Sequence, residues 1–178
     1  MGFFKSIKQR DPAARNWLQI LLLYPGVKAI IYYRIAHFFY KIKFKFIAQL
    51  IMYSVRVRFA IDIHPACQIG KRLFIDHGAG VVIGETSIIG DDCTIYQGVS
   101  LGGTGKDRGK RHPTLGNNVM VGAGAKILGN ITVGNNSKIG ANTVVLSDVP
   151  DNATFVGYKG IEVKKIKLQN VINKGQNN

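Results

Sequence analysis

The chain has few side chains able to move a proton near neutral pH: four histidines, His37, His64, His77 and His112. His37 lies in an apolar stretch and reads as a packing or surface residue. Each of the others has a charged neighbour: Asp62 before His64, Asp76 beside His77 and Arg111 beside His112. A carboxylate near an imidazole orients the ring and stabilises its protonated form, which is what a general base needs. Asp62 and His77 form one such candidate pair, with Gly78 and Gly80 leaving room for a substrate. Zinc is the competing use of three histidines. Their spacings of 13 and 35 residues give no HxH or HxxxxH cluster, so no metal is expected. A second constellation lies in GGTGKDRGKRHPT, residues 102–114. There Arg111 offers a planar fork suited to a carboxylate, and Lys106, Arg108 and Lys110 suit phosphates. The backbone of Gly102–Gly105 permits close approach of a ligand. The segment does not match GxxxxGK[ST], which excludes a P-loop.

The elements that must position these groups show a six-residue rhythm. Aliphatic residues recur at Ile63, Ile69, Ile75 and Val81, then after a two-residue phase shift at Ile83, Ile89, Ile95 and Leu101. They return at Leu115, Val121, Ile127, Val133, Ile139 and Val145. Such a period predicts a solenoid of short parallel strands, one strand and one tight turn per unit, with the anchors stacked in a narrow core. Three units per coil give a triangular prism of nearly five coils. On an 18-residue coil, Asp62 and His77 can meet near a corner on adjacent levels. Each can equally cap a turn, and spacing alone leaves both readings open. Residues 102–114 add eight residues to the rhythm and read as an extruded, functional loop.

Residues 1–60 read as helical, with Asp11–Pro12 as an N-cap and first helical position. A second helix is expected from Pro25–Gly26 and a third apolar stretch over Phe44–Val55. The domain reading is a helical region at 1–60, a catalytic solenoid at 61–150 and a polar tail at 151–178. The net charge of +14 is concentrated at the front: residues 1–60 hold eleven Lys and Arg against one acid, Asp11. That balance raises nucleic acid or a membrane surface as partners, and a solvated helix surface is the reading adopted. No apolar run reaches spanning length without a charge, and no cleavage site follows the first one. Two isolated cysteines fit a reduced compartment, so a cytoplasmic protein without a nucleic-acid partner is expected.

The stretches IDIHPACQIGKRLFIDHGAGVVIGET, YQGVSLGGTGKDRGKRHPTLG, GAGAKILGNITVG and IGANTVVLSDVP together resemble the serine acetyltransferases, from about Asp11 to Gly157. DIHP, DHG, GGTGK and RHP in this order are specific to that family among hexapeptide-repeat acyltransferases. The resemblance implies a mainly β fold, a left-handed parallel β-helix with a short N-terminal helical region, against the usual right-handed crossover. It implies transfer of acetyl from acetyl-CoA to the L-serine hydroxyl, giving O-acetyl-L-serine for cysteine biosynthesis. It assigns His77 as general base with Asp62 as partner, Asp11 and Asp76 to the serine amino group, and Arg111 and His112 to its carboxylate. Gly103, Thr104, Ala123, Lys138 and Ala141 would touch the CoA arm between neighbouring subunits.

The family forms homotrimers with active sites between protomers, and its longer members pair two trimers. The short helical region here favours a trimer over a hexamer. VGYKGI at 156–161 departs from the family's usual turn, which weakens late CoA contacts. The ending Gln-Asn-Asn in place of a terminal isoleucine argues against a complex with O-acetylserine sulfhydrylase. An acetyltransferase for a sugar or polysaccharide hydroxyl is the alternative, but it has no reason to carry Asp11, Asp76 and Arg111 together. A non-catalytic solenoid acting as scaffold or membrane-surface binder is the third reading.

Overall fold

Side chains recurring every six residues can share one interior only if the chain turns a corner after each short strand, and the structure does so. It is a computed structural model describing residues 2–105 and 108–157. Expectations for Lys106 and for the tail from 158 onward fall outside the described residues. Four helices open the chain: α1 (Phe3–Arg10), α2 (Trp17–Leu23), α3 (Pro25–Lys41) and α4 (Lys45–Phe59). The strands that follow are β1 (Ile61–Ile63), β2 (Gln68–Ile69), β3 (Phe74–Ile75), β4 (Val81–Ile83), β5 (Ile88–Ile89), β6 (Thr94–Ile95) and β7 (Ser100–Gly102). After the extruded loop come β8 (Thr114–Leu115), β9 (Met120–Val121), β10 (Lys126–Leu128), β11 (Thr132–Val133), β12 (Lys138–Ile139), β13 (Val144–Val145) and β14 (Thr154–Phe155).

Up to β13 every third strand pairs in parallel, and β14 then pairs with β12, which makes the three walls of a left-handed β-helix. The first wall is β1-β4-β7-β10-β13, the second β2-β5-β8-β11 and the third β3-β6-β9-β12-β14. All fourteen anchors are buried. They stack in register, as in Ile63, Ile83, Leu101, Ile127 and Val145 up the first wall. Because each strand is only two or three residues long, burial on the inner face is what holds it in place.

Two details differ from the sequence reading. Val81 and Ile83 lie in the same strand, β4, so the fourteen anchors occupy thirteen strands. The phase shift between them is the slack of a longer corner, residues 76–80, where His77, Gly78 and Gly80 have φ of 56°, 80° and 74°. The solenoid also runs past residue 150, the boundary expected from sequence, into β14 against β12.

The helices follow the expected starts at Pro25 and near Phe44, but Asp11 is not an N-cap. It closes the C-terminus of α1, its backbone N–H donating to the Ile7 carbonyl, and Asn16 caps α2 by accepting from the Gln19 N–H at 2.8 Å. α3 and α4 form a hairpin under the first coil, joined to the solenoid core through Ala29, Tyr33, Ala36, Met52 and Val55.

Candidate active site

His77 occupies the corner between the third and first walls. Its left-handed backbone turns the side chain outward, where it is 77% exposed, with Nε2 4.0 Å from the Asp76 carboxylate. Gly78 is required beneath it: a Cβ there would lie 2.6 Å from Ile61 Cδ1, and φ is 80°.

Asp11 reaches this corner from α1 through two anchors. Arg10 inserts its guanidinium among the carbonyls of Arg72, Asp92 and Cys93 at 2.6, 3.0 and 2.8 Å, tying the end of α1 to the solenoid. On the next residue, the Tyr24 hydroxyl donates to Asp11 Oδ2 at 2.5 Å, while Asp11 Oδ1 accepts from the Ala13 N–H at 2.8 Å. Asp11, Tyr24, Asp76 and His77 line a cavity of about 330 Å³. Burial, with Asp11 nearby, holds the Asp76 carboxyl above its ordinary range. Burial and the Asp11 bond push the Tyr24 hydroxyl up to about 12, so it stays a donor. Two carboxylates lining one small cavity, with no Lys or Arg among its described lining residues, are a seat for an ammonium group.

The corner between the first and second walls carries the opposite chemistry. Arg111 is held by Glu85, Nη2 to Oε2 at 2.7 Å, and Glu85 is held below the usual carboxylate range by that bond. Thr86 organises the next residue. Its Oγ1 accepts from the Arg111 and His112 backbone N–H groups, each at 3.1 Å, and lies 2.9 Å from His112 Nδ1. The Thr86 backbone N–H also donates to Nδ1 at 3.2 Å. Nδ1 is thus an acceptor, which leaves the ring proton on Nε2. Burial, Arg111 and Lys110 hold the His112 pKa below its ordinary 6.5. The ring packs flat on Gly84, where a Cβ would fall 2.0 Å from Cδ2. Arg111 and a neutral, Nε2-protonated His112 form a donor pair suited to a carboxylate. His64 is the neighbouring titratable group, with Nδ1 accepting from the Ala66 N–H at 3.1 Å and its pKa lowered by burial.

The other predicted residues distribute along the same two corners. Ala123 and Ala141 lie above His77, stacked by the bond from the Asn142 N–H to the Ala123 carbonyl at 2.8 Å. Gly80, Gly98 and Gly124 line that corner with φ of 74°, 69° and 71°, a strip without side chains that a long thin ligand can approach. Lys138 is exposed on β12. Gly103 and Thr104 lie at the other corner, where the loop leaves β7, Thr104 facing Gly129. Within the chain, among the described residues, no hydrogen bond or ion pair joins Asp62 to His77. Asp62 instead pairs with Arg56 at 3.5 Å. The repeat put the two residues near one corner, but Asp62 points outward from β1, within reach of α4. His37 is a packing residue as expected, Nδ1 lying 2.8 Å from the Pro65 carbonyl. Arg10, Tyr24, Glu85 and Thr86 were not read from sequence. Their roles depend on contacts 13 to 84 residues apart, which no local pattern signals.

Residues 112–147 match the family model described as bacterial transferase hexapeptide (six repeats). The chain is 60% identical over 159 residues to a serine acetyltransferase of Helicobacter pylori strain 26695, covering 89% of this chain and 93% of that protein. It is 57% identical over 157 residues to a serine acetyltransferase of Synechococcus elongatus, covering 88% of this chain and 64% of that protein. Two solved structures are also similar. A Brucella abortus serine acetyltransferase in complex with coenzyme A has a TM-score of 0.86 at 44% identity, over 88% of this chain and 63% of that one. A Neisseria gonorrhoeae serine acetyltransferase in complex with serine has a TM-score of 0.84 at 43% identity, over 89% and 65%. The chain therefore spans less than two thirds of these longer relatives and nearly all of the Helicobacter one.

Proposed function

This chain belongs to the serine acetyltransferase family, and from that premise we propose that it transfers acetyl from acetyl-CoA to the hydroxyl of L-serine. The observation that carries this reading is the pairing of two seats of opposite charge. Asp11 and Asp76 suit an ammonium group beside His77, and Arg111 with His112 suits a carboxylate. An amino acid presents both groups, and serine adds a hydroxyl for His77. A sugar has neither charge, so the alternative leaves both seats unused.

The seats lie on different corners of one prism, and His77 is open to solvent. A base that must exclude water needs a cover. We place that cover on the neighbouring protomer of a homotrimer, whose Arg111 corner would close over His77. His77 takes the serine proton as the oxygen attacks the thioester carbonyl, and returns it to the departing thiolate. Within one chain Asp62 does not meet His77, so we assign the stabilisation of the imidazolium to Asp62 of the neighbouring protomer, which leaves Arg56 to do so. That exposed ion pair costs at most about 1 kcal/mol to break. The glycine strip above His77, with Ala123 and Ala141, would hold the CoA arm. Lys138, Gly103 and Thr104 complete that contact. A reducing cytoplasm suits the buried free thiols of Cys67 and Cys93.

The test follows CoA thiol release with L-serine, and then with sugars. The two protein thiols do not compete with the thiol reagent, since burial pushes them up to about 12 and about 11. Serine-dependent release that falls at least a thousandfold in His77→Ala, with acetyl-CoA binding kept, is the expected result; a general base contributes about 10²–10⁴-fold. Near-normal turnover in that variant, or release that follows sugars, overturns the reading.

A further inference from the structure

The turn between α3 and α4 has no role in the site. Its sequence, Lys41-Ile42-Lys43-Phe44-Lys45-Phe46, alternates lysine with apolar residues. A solvated turn has no use for the apolar half, and a packed turn would bury it. Neither holds here: Phe38, Ile42, Phe44 and Phe46 are 60, 45, 56 and 77% exposed. Lys43 takes a left-handed φ of 72°, and the turn is closed by the Phe44 N–H donating to the Phe39 carbonyl at 3.0 Å, so this exposure belongs to a defined structure. Lys41, Lys43 and Lys45 line a cavity of about 750 Å³ with Arg34 and His37, and no carboxylate lines it among the described residues. None of the three lysines has an ion-pair partner there either. The Arg34 guanidinium is committed to the Ile69 and Gly70 carbonyls, which fixes the cavity wall against β2.

We propose that this turn docks the protein on the surface of an anionic lipid bilayer, with Ile42, Phe44 and Phe46 entering the interfacial layer and the three lysines meeting lipid phosphates. Exposed aromatic and aliphatic residues interleaved with cations match that interface in both of its properties. A two-fold contact with a second copy matches only one of them, because it would set lysines against lysines. No helix among the described residues is long and apolar enough to cross a membrane, so the association is peripheral and reversible. Its electrostatic part is screened by salt, with a Debye length of about 8 Å at physiological ionic strength.

The full-length protein is mixed with phosphatidylcholine vesicles, with and without phosphatidylglycerol, and sedimented. Wild type is expected in the pellet with the anionic vesicles only, and to leave it as salt is raised. Lys41→Gln/Lys43→Gln/Lys45→Gln is expected to lose about a hundredfold in partitioning, and Phe44→Ser/Phe46→Ser at least about tenfold. Both variants alter exposed side chains, so thermal midpoint and serine-dependent thiol release should stay at wild-type values. Binding does not require the transferase activity, and the two readings fail independently. Equal partitioning to neutral and anionic vesicles, or variants that bind as wild type, overturns the proposal. So does a phenylalanine variant that dissociates an assembly seen by light scattering in a wild type that ignores vesicles, because the patch would then be covered by a second copy.

Discussion

Thr86 shows how much of this site depends on one hydroxyl. It satisfies the backbone N–H groups of both Arg111 and His112 and fixes the His112 tautomer. Thr86→Val keeps the shape and removes the oxygen, leaving two part-buried donors unpaired at a cost of about 1–3 kcal/mol. The expected outcome is a serine KM raised about tenfold or more, an acetyl-CoA KM close to wild type, and recovery in Thr86→Ser. An unchanged serine KM would separate Thr86 from the carboxylate seat. The histidines predict a pH response of definite sign. Burial lowers the pKa of His64 and His112 from 6.5 in the folded protein. At pH above 6.5 both states are neutral, and below it the unfolded chain takes up protons that the folded one resists. Stability therefore falls as pH drops below about 6.5. Glu85 and Asp92, held low by arginines, add their loss only in more acid solution, below the ordinary carboxylate values. Thermal midpoints at pH 7.5, 6.5 and 5.5, about the ordinary imidazole value, should fall only in the last interval, and less so in His112→Gln.

At the scale of elements, the helices deliver carboxylates to a corner that the solenoid builds. α3 starts at Pro25 and Gly26, and a Cβ at Gly26 would lie 2.1 Å from the Ile75 carbonyl oxygen of β3. The helix must touch that strand to hold Tyr24, and through it Asp11, beside Asp76. Gly26→Ala should separate them, with an overpacking cost of about 1–3 kcal/mol and a thermal midpoint lower by roughly 2–10 °C. Serine affinity should fall with it, while the His112 corner is untouched; a variant with unchanged midpoint and serine KM would refute the contact. The period of six made the walls legible from sequence, since each anchor reports burial directly and all fourteen are buried. The phase shift at Val81–Ile83 marked the His77 corner, although spacing alone did not show why two residues were added. α1 falls in the region read as helical, but its anchoring through Arg10 was not legible. The helix buries only Ser6 and Ile7, and its anchoring uses solenoid carbonyls that carry no side-chain signal. The motif residues were legible through the family's DIHP, DHG and RHP, but their grouping onto two corners is a property of the coil.

For the whole molecule, the +14 charge divides by task. The helical region holds most of it, and the α3–α4 turn presents three of its lysines away from the site. In the solenoid Asp76 lies at the His77 corner and Arg111 beside His112 at another, so one chain holds two halves that cannot close on each other. In the proposed homotrimer, built as a ring, each interface joins unlike surfaces, so the His77 corner of one protomer would meet the Arg111 corner of the next, and complementation between variants rests on that proposal. This arrangement makes His77→Ala and Arg111→Ala complementary defects. Each variant alone has three damaged sites per trimer. When the two are mixed in equal amounts and allowed to exchange subunits, a site is intact only where an Arg111→Ala chain supplies His77 and its neighbour, a His77→Ala chain, supplies Arg111. Random assembly makes about one site in four intact, so activity should return to about a quarter of wild type from two nearly inactive proteins. If each site were built within one chain, no mixture could contain an undamaged one, and activity would stay at the level of the separate variants at every ratio.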